Sequence, residues 1–444
     1  MKERVYIRLL MAGIVLYTIS GLVVGATDIC FTSENKPPSE EWSRIFGGYD
    51  SDYGFAVQQS TDGGYIIVGS TESFGSGSLD IWLIKTSSNG KIKWERTFGG
   101  SNNDEGCHVQ QTNDGGYIIV GHTSSYGSGG TDIWLIKTDS DGNEIWNRTL
   151  GGNQDDYGYV VQQTEDGGYI IIGCTRSYGA GWCDVWLIKT DSNGKEEWNR
   201  TFGRLGNDCG RCVQQTSDGG YVLVGYTKLH DTEHNDIWLI KTDSNGNEEW
   251  NRTFYGGQGF AVQQTSDGGY IIVGYTNLYG AGKLDIWVIK TDSNGNEEWN
   301  RTFGGSYDEW GYAIQETEDG GYVIAGFTRS YGSGQWGNIW LVKIDRNGNE
   351  EWNKTLGKDC FDCGHSVQQT NDGGYIVVGT AVSHAIETKL DILLVKVTHE
   401  NISLLKRIYN FILSVIERIH NLLSDLINGI FSTSVPILSG RFYV

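Results

Sequence analysis

Residues 159–202 read YVVQQT-EDGG-YIIIGCT-RSYGAGWC-DVWLIKT-DSNGK-EEWNRTF. Four segments, 159–164, 169–175, 184–190 and 196–202, are rich in Ile, Val, Trp, Tyr and Thr, which suit pleated strands. Asp166-Gly167-Gly168 and Asn193-Gly194 punctuate them, supplying the positive φ that tight hairpins require. The stretch is therefore four short antiparallel strands, with a longer loop between the second and third.

The same stretch recurs along the chain. Asp-Gly-Gly-Tyr occurs seven times, with Tyr at 65, 117, 169, 221, 270, 322 and 375. A Trp preceded by Glu, Lys or Ile also occurs seven times, at 42, 94, 146, 198, 250, 299 and 352. A fixed period near 50 residues, four strands per unit and a Trp-rich interface describe propeller blades. The chain begins with a lone fourth-type strand, residues 41–46, and its last unit, 366–398, has only three strands. The first strand is expected to complete the last blade and remove the exposed sheet edges. The expected architecture is all-β: a seven-bladed β-propeller of four-stranded blades over residues 41–398, closed by an N-terminal strand, plus a C-terminal amphipathic α-helix.

Composition agrees and excludes other classes. The 444 residues include 64 Gly, 24 Tyr, 16 Trp and only 3 Pro. So few prolines exclude a collagen helix, and so many aromatics exclude disorder. A net charge of −21 repels phosphate, so no nucleic-acid partner is expected.

The stretch Lys189-Thr-Asp-Ser-Asn-Gly-Lys-Glu-Glu-Trp198 resembles the tryptophan-docking repeat of quinoprotein-type propellers, the PQQ-like repeat. It also resembles the long-repeat secreted propellers of archaea and bacteria. The resemblance covers about residues 41–398 and implies the propeller fold. The turn is one residue shorter and lacks the Thr. The adjacent Cys-Cys pair that quinoprotein dehydrogenases carry over their cofactor does not occur here, which argues against the redox activity.

The ends differ from the repeats. Lys2, Arg4 and Arg8 precede an apolar run ending near Ala26, so residues 1–26 read as a signal peptide or a membrane anchor, followed by a linker at 27–40. Residues 400–431 show apolar residues at helical spacing, as at Leu405, Ile408, Ile412, Val415, Ile419 and Leu422. This helix suits packing on the propeller, pairing as a coiled coil, or lying on a membrane. Residues 432–444 are a tail. A secreted or cell-surface location follows from the N-terminal reading.

Several residue sets are candidates for function. Asp52, Asp104, Asp156, Asp208, Glu309 and Asp362 precede the first strand in six of the seven units, with Gly257 in the fifth, near one mouth of the central channel. They suit either turn capping or a ring holding a cation such as calcium. The variable loops between second and third strands carry Tyr126, Tyr178, Tyr279 and Tyr331, with Trp182 and Trp336. Trp310 also lies outside the repeat pattern. These rings suit sugars or peptides, although the Tyr-Gly pairs also suit a structural role at the blade interface.

Cys174 and Cys183 flank one loop, and Cys209-x-x-Cys212 and Cys360-x-x-Cys363 form two further pairs. Local disulfides are expected in a secreted chain, with Cys30 and Cys107 left over. Asn-x-Ser/Thr at Asn147, Asn199, Asn251, Asn300, Asn353 and Asn401 would accept glycans in a suitable host. No Ser-His-Asp set, paired catalytic carboxylates or phosphate loop stands out, and no cofactor is expected. The reading is a non-catalytic module binding a glycan, peptide or protein through its variable-loop face. The alternatives are a propeller lyase, glycosidase or quinoprotein relative, and an envelope scaffold assembled through the C-terminal helix.

Overall fold

The computed structural model describes residues 37–228, 234–333, 336–357, 361–382 and 389–399. It is a seven-bladed β-propeller of four-stranded antiparallel sheets. Blades 1 to 6 span residues 52–98, 104–150, 156–202, 209–254, 257–303 and 309–356, each with four consecutive strands. Blade 7 combines Asp362–Gln369, Tyr375–Val382 and Leu390–Val397 with the N-terminal strand Glu40–Phe46 on its outer edge. Trp42 stands opposite Lys396 and Phe46 opposite Ile392, so the expected closing strand is observed. The N-terminal segment, the stretch expected to form the C-terminal helix, the tail, Cys30, Cys360 and Asn401 lie outside the described residues. No helix among the described residues is long and apolar enough to cross a membrane.

Second and third strands are buried on both faces, as in Tyr169–Thr175 and Asp184–Thr190. Their continuous apolar runs follow from that position. Fourth strands face solvent on one side and alternate. The first strand of blade 3 begins earlier than the sequence suggests, at Asp156 rather than Tyr159. A β-bulge between Gly158 and Val160 breaks the alternation that marks a strand in sequence, and so hides its start.

Three contacts repeat between or within blades. First, each fourth-strand Trp packs on the Asp-Gly-Gly Tyr of the next blade; Trp146 and Tyr169 have ring centroids 5.9 Å apart. The same ring covers Gly194 in the next blade's turn, where φ is 75° and an added Cβ would come within 2.6 Å of Trp146. Trp42 does this on Tyr65 and Gly90, so the closing strand docks the seventh blade onto the first.

Second, a Lys in each third strand is buried against the Asp of its own Asp-Gly-Gly turn. Lys189 lies 2.8 Å from Asp166 and 3.0 Å from Glu197. Burial raises the Asp166 carboxyl, but hydrogen bonds from Lys189, Thr164 and Gly168 outweigh it and hold the group at about 2.

Third, two rings of glutamine side chains tie the first strands together. The Gln162 carbonyl accepts the Gln215 N–H of the next blade at 2.7 Å, and the Gln163 carbonyl accepts the Asn113 N–H of the previous blade at 2.9 Å. Equivalent bonds occur at all seven interfaces, with Glu316 in place of one Gln. The rings close where Gln368 accepts from Gln59 N–H and Gln59 accepts from Asn371 N–H. A cavity of about 310 Å³ opens on this layer, lined by Gln110, Gln111, Gln162, Gln163 and Gln215.

Trp146→Ala is expected to lower unfolding free energy by ~3 kcal/mol, because it empties an interface between two blades. Urea unfolding followed by tryptophan fluorescence measures it. A loss below ~1 kcal/mol would show that the docking contact is incidental.

Candidate functional site

The loops between second and third strands and the linkers between blades meet at one end of the propeller. Trp182 N–H donates to Gly206 O at 3.0 Å, and Asp208 N–H to Cys183 O at 2.8 Å. Here the acidic residues are found, but not as a ring of open carboxylates. Asp52, Asp104, Asp156, Asp208, Glu309 and Asp362 are all buried. Each of the first five accepts a backbone N–H four residues upstream in the inter-blade linker, as Gly100 N–H to Asp104 at 2.7 Å and Arg204 N–H to Asp208 at 2.9 Å. Ser125 Oγ also donates to Asp104 at 2.7 Å, tying the linker to the loop. Among the described residues no group of three or more His, Cys, Asp and Glu stands together to hold a metal ion.

A second carboxylate faces each of several of these from the preceding blade. Asp80 and Asp104 converge on Gly99, Asp132 and Asp156 on Gly151, and Asp285 and Glu309 on Gly304. One oxygen of Asp80, of Asp132 and of Asp285 has no hydrogen-bond partner. Burial, then the neighbouring carboxylate, pushes the Asp132, Asp184 and Asp285 carboxyls up. Blade 6 carries Asn338 at this position, and blade 5 carries Gly257 where the other blades have the capping carboxylate. Asp236 there accepts the Gly256 N–H at 2.8 Å instead.

The loop tyrosines are anchored. Tyr126, Tyr178 and Tyr331 donate their hydroxyls to Gly99, Gly151 and Gly304 carbonyls at 3.0–3.1 Å. With Tyr279, they lay their rings on Trp134, Trp186, Trp340 and Trp287. One face of each stays open. Trp182 and Trp336 project fully, at 79% and 61% exposure. Trp310 is elsewhere, stacked on Phe327 near the axis at 5.3 Å.

The cysteines group differently from the sequence expectation. Cys174, Cys183 and Cys209 form one buried cluster from two adjacent blades, and all three are free thiols. Cys212 does not pair with Cys209. The bulge at Arg211 turns it to the next blade, where its thiol lies 3.8 Å from Val262 O. The sequon asparagines are structural partners: Asn147 Oδ1 accepts from Trp134 Nε1 at 3.3 Å, and its Nδ2 donates to Glu144 at 2.6 Å. The same bonds recur at Asn199, Asn251, Asn300 and Asn353.

The site that the sequence reading missed lies on the axis. Every first strand has a bulge, and the bulged residue differs in kind: Phe55, Cys107, Tyr159, Arg211, Phe260, Tyr312 and His365. Bulges re-aim side chains. These seven are half-buried, and six of them, from Tyr159 round to Phe55, touch in sequence along the ring. Phe260 lies 5.1 Å from Tyr312, Tyr312 5.3 Å from His365, and His365 5.5 Å from Phe55. The Arg211 guanidinium sits 4.4 Å from the Tyr159 ring centre and 5.9 Å from that of Phe260. Among the described residues no carboxylate pairs with it and its Nε lacks a partner, so it can take an anionic group. Beside them vary Tyr53, Glu105, Tyr157, Cys209, Gln258, Trp310 and Cys363. Stacking the seven units in register exposes both columns as variable inside otherwise repetitive strands.

No protein-family model matches the chain. A 175-residue segment is 25% identical to the regulatory protein FlaEY of Caulobacter vibrioides; it covers 34% of this chain and 18% of that protein. The chain therefore spans under a fifth of that relative. Among solved structures, the Pan2 WD40 domain of Neurospora crassa aligns at a TM-score of 0.49 and 10% identity, over 83% of this chain and 98% of that one. Sqt1 of Chaetomium thermophilum aligns at 0.46 and 10%, over 77% and 82%. YCF48 bound to D1 peptide aligns at 0.45 and 11%, over 83% and 100%. The likeness is one of fold, and no family hit supports a quinoprotein-type assignment.

The paired carboxylates have a pH signature. A carboxyl raised in the folded state contributes stability below its ordinary range, and that contribution is lost as pH rises through the raised value. The combined Asp132→Asn, Asp184→Asn and Asp285→Asn variant is therefore expected to melt several degrees higher than the parent at pH 7.5. The gain should vanish near pH 3.5. Calorimetry at both values checks this, and a variant destabilised at pH 7.5 contradicts it.

Proposed function

We propose that the propeller is a non-catalytic binding module that takes a protein or peptide on the end formed by the variable loops and inter-blade linkers. One observation carries the reading. Among the described residues fifteen large apolar side chains are exposed, and all but Ile45, Ile92 and Ile145 lie at this end. Tyr49, Leu205, Tyr255 and Tyr307 add to the loop aromatics, at 62–90% exposure. Apolar patches of this kind mark interaction sites. Their spread over several blades suits a broad partner surface better than a single sugar ring. The rings are held rigid by hydrogen bonds and Trp stacking, which reduces the entropy lost on binding. The N-terminal basic residues and apolar run support a secreted or surface-tethered location, where such a module would meet extracellular partners.

The test is an array bearing both peptides and glycans, probed with the propeller. Peptide binding that weakens about tenfold or more in Trp182→Ala with Trp336→Ala is expected, since aromatic anchors dominate such surfaces. Binding confined to glycans would overturn the peptide assignment. Peptide binding unaffected by the double variant would overturn the face.

A further inference from the structure

In the axial layer one bulged residue is a nucleophile rather than a ring or a cation. Cys107 sits in the first strand of blade 2, two residues after Glu105. Glu105 is directly opposite His122 of the second strand. The three side chains form a line. Cys107 Sγ lies 3.8 Å from His122 Nδ1, and His122 Nε2 lies 3.7 Å from Glu105 Oε2. Tyr157 of blade 3 holds the imidazole edge-to-face at 5.1 Å. No other blade repeats the set: the Glu105 position holds Tyr, Cys, Gln or Trp, and the His122 position holds Ser, Cys, Tyr, Phe or Thr.

We propose that Cys107 is a thiolate nucleophile, generated by proton transfer to His122 and held by Glu105, and that the channel at blade 2 is a covalent site for small electrophiles. The order thiol, imidazole, carboxylate is the arrangement that activates a weak nucleophile. Burial opposes charge on His122, yet the Cys107 sulfur and the Glu105 carboxylate outweigh it and lift the imidazole to about 10. His122 in turn lowers the Glu105 carboxyl. Glu105, Cys107 and Tyr157 are the titratable groups packed around the ring. Cys107 is only partly buried, whereas Cys174, Cys209 and Cys363 are buried and their thiols are pushed up. Partial exposure beside an imidazolium is the setting of reactive cysteines.

The step balances without a cofactor. The sulfur electron pair forms a bond to the electrophilic carbon. The leaving group departs with the pair of the bond that breaks, and the thiol proton stays on His122 Nδ1, positioned to protonate it. This site does not depend on the loop-face reading.

The test is site-resolved alkylation of the reduced full-length chain with iodoacetamide from pH 5 to 9, read by peptide mass spectrometry. At pH 7, Cys107 is expected to react about tenfold or more faster than Cys174, Cys209 and Cys363, with its rate still high below pH 7. His122→Gln should move the inflection to the ordinary thiol range near ~8.5. Glu105→Gln, a milder change, should slow Cys107 without altering the other thiols. A parent Cys107 that alkylates no faster than the buried cysteines overturns the proposal. So does an inflection near ~8.5 in the parent that neither variant moves.

Discussion

The structure depends on closure. A four-stranded blade cannot bury both faces of its middle strands alone, so each blade needs a neighbour on either side. The glutamine rings meet this need at the axis. Each first strand accepts backbone N–H groups from the blades before and after it, and the series returns to its start between Gln368 and Gln59. At the rim the closing strand repeats the tryptophan docking, with Trp42 on Tyr65. Inner and outer layers are thus tied by different chemistry, one polar and one aromatic.

Closure also explains how the protein can be repetitive and specific together. Positions that make the repeated contacts stay nearly constant: the Gln pair with Glu316 as its one substitute, the docking Trp, the buried Lys, and the capping Asp, which is Glu309 in blade 6 and Gly257 in blade 5. Positions outside these repeated contacts are free to vary. These are the loop tips at one end and the bulged column on the axis. Individual chemistry collects there, as Trp182 and Trp336 outside, and as Arg211 and the Cys107–His122–Glu105 line inside.

Much of this was legible in the sequence. Period, strand count and closing strand follow from the Asp-Gly-Gly turns, the docking Trp and the three-stranded last unit. The acidic residues were legible as turn caps, because one Asp per unit in one register is what a backbone bond requires. The axial site was not. A bulge breaks the period-2 alternation by which a strand is recognised, so residues 156–158 looked like linker and the bulged column had no frame. Cys107 was counted as a leftover thiol, since its imidazole lies fifteen residues on and meets it only through strand pairing. Cys209 and Cys212 looked like a local pair for the same reason: spacing counts residues, and the bulge at Arg211 changes which way they face.

Amide hydrogen exchange resolved by strand tests closure most directly. The ring has no ends, so the outer strands of blade 7, Leu390–Val397 and Glu40–Phe46, should be as protected as the matching strands of blades 3 and 4. A steady fall in protection from the middle blades toward blade 1 and blade 7 is the behaviour of an open repeat stack and would contradict the closed ring.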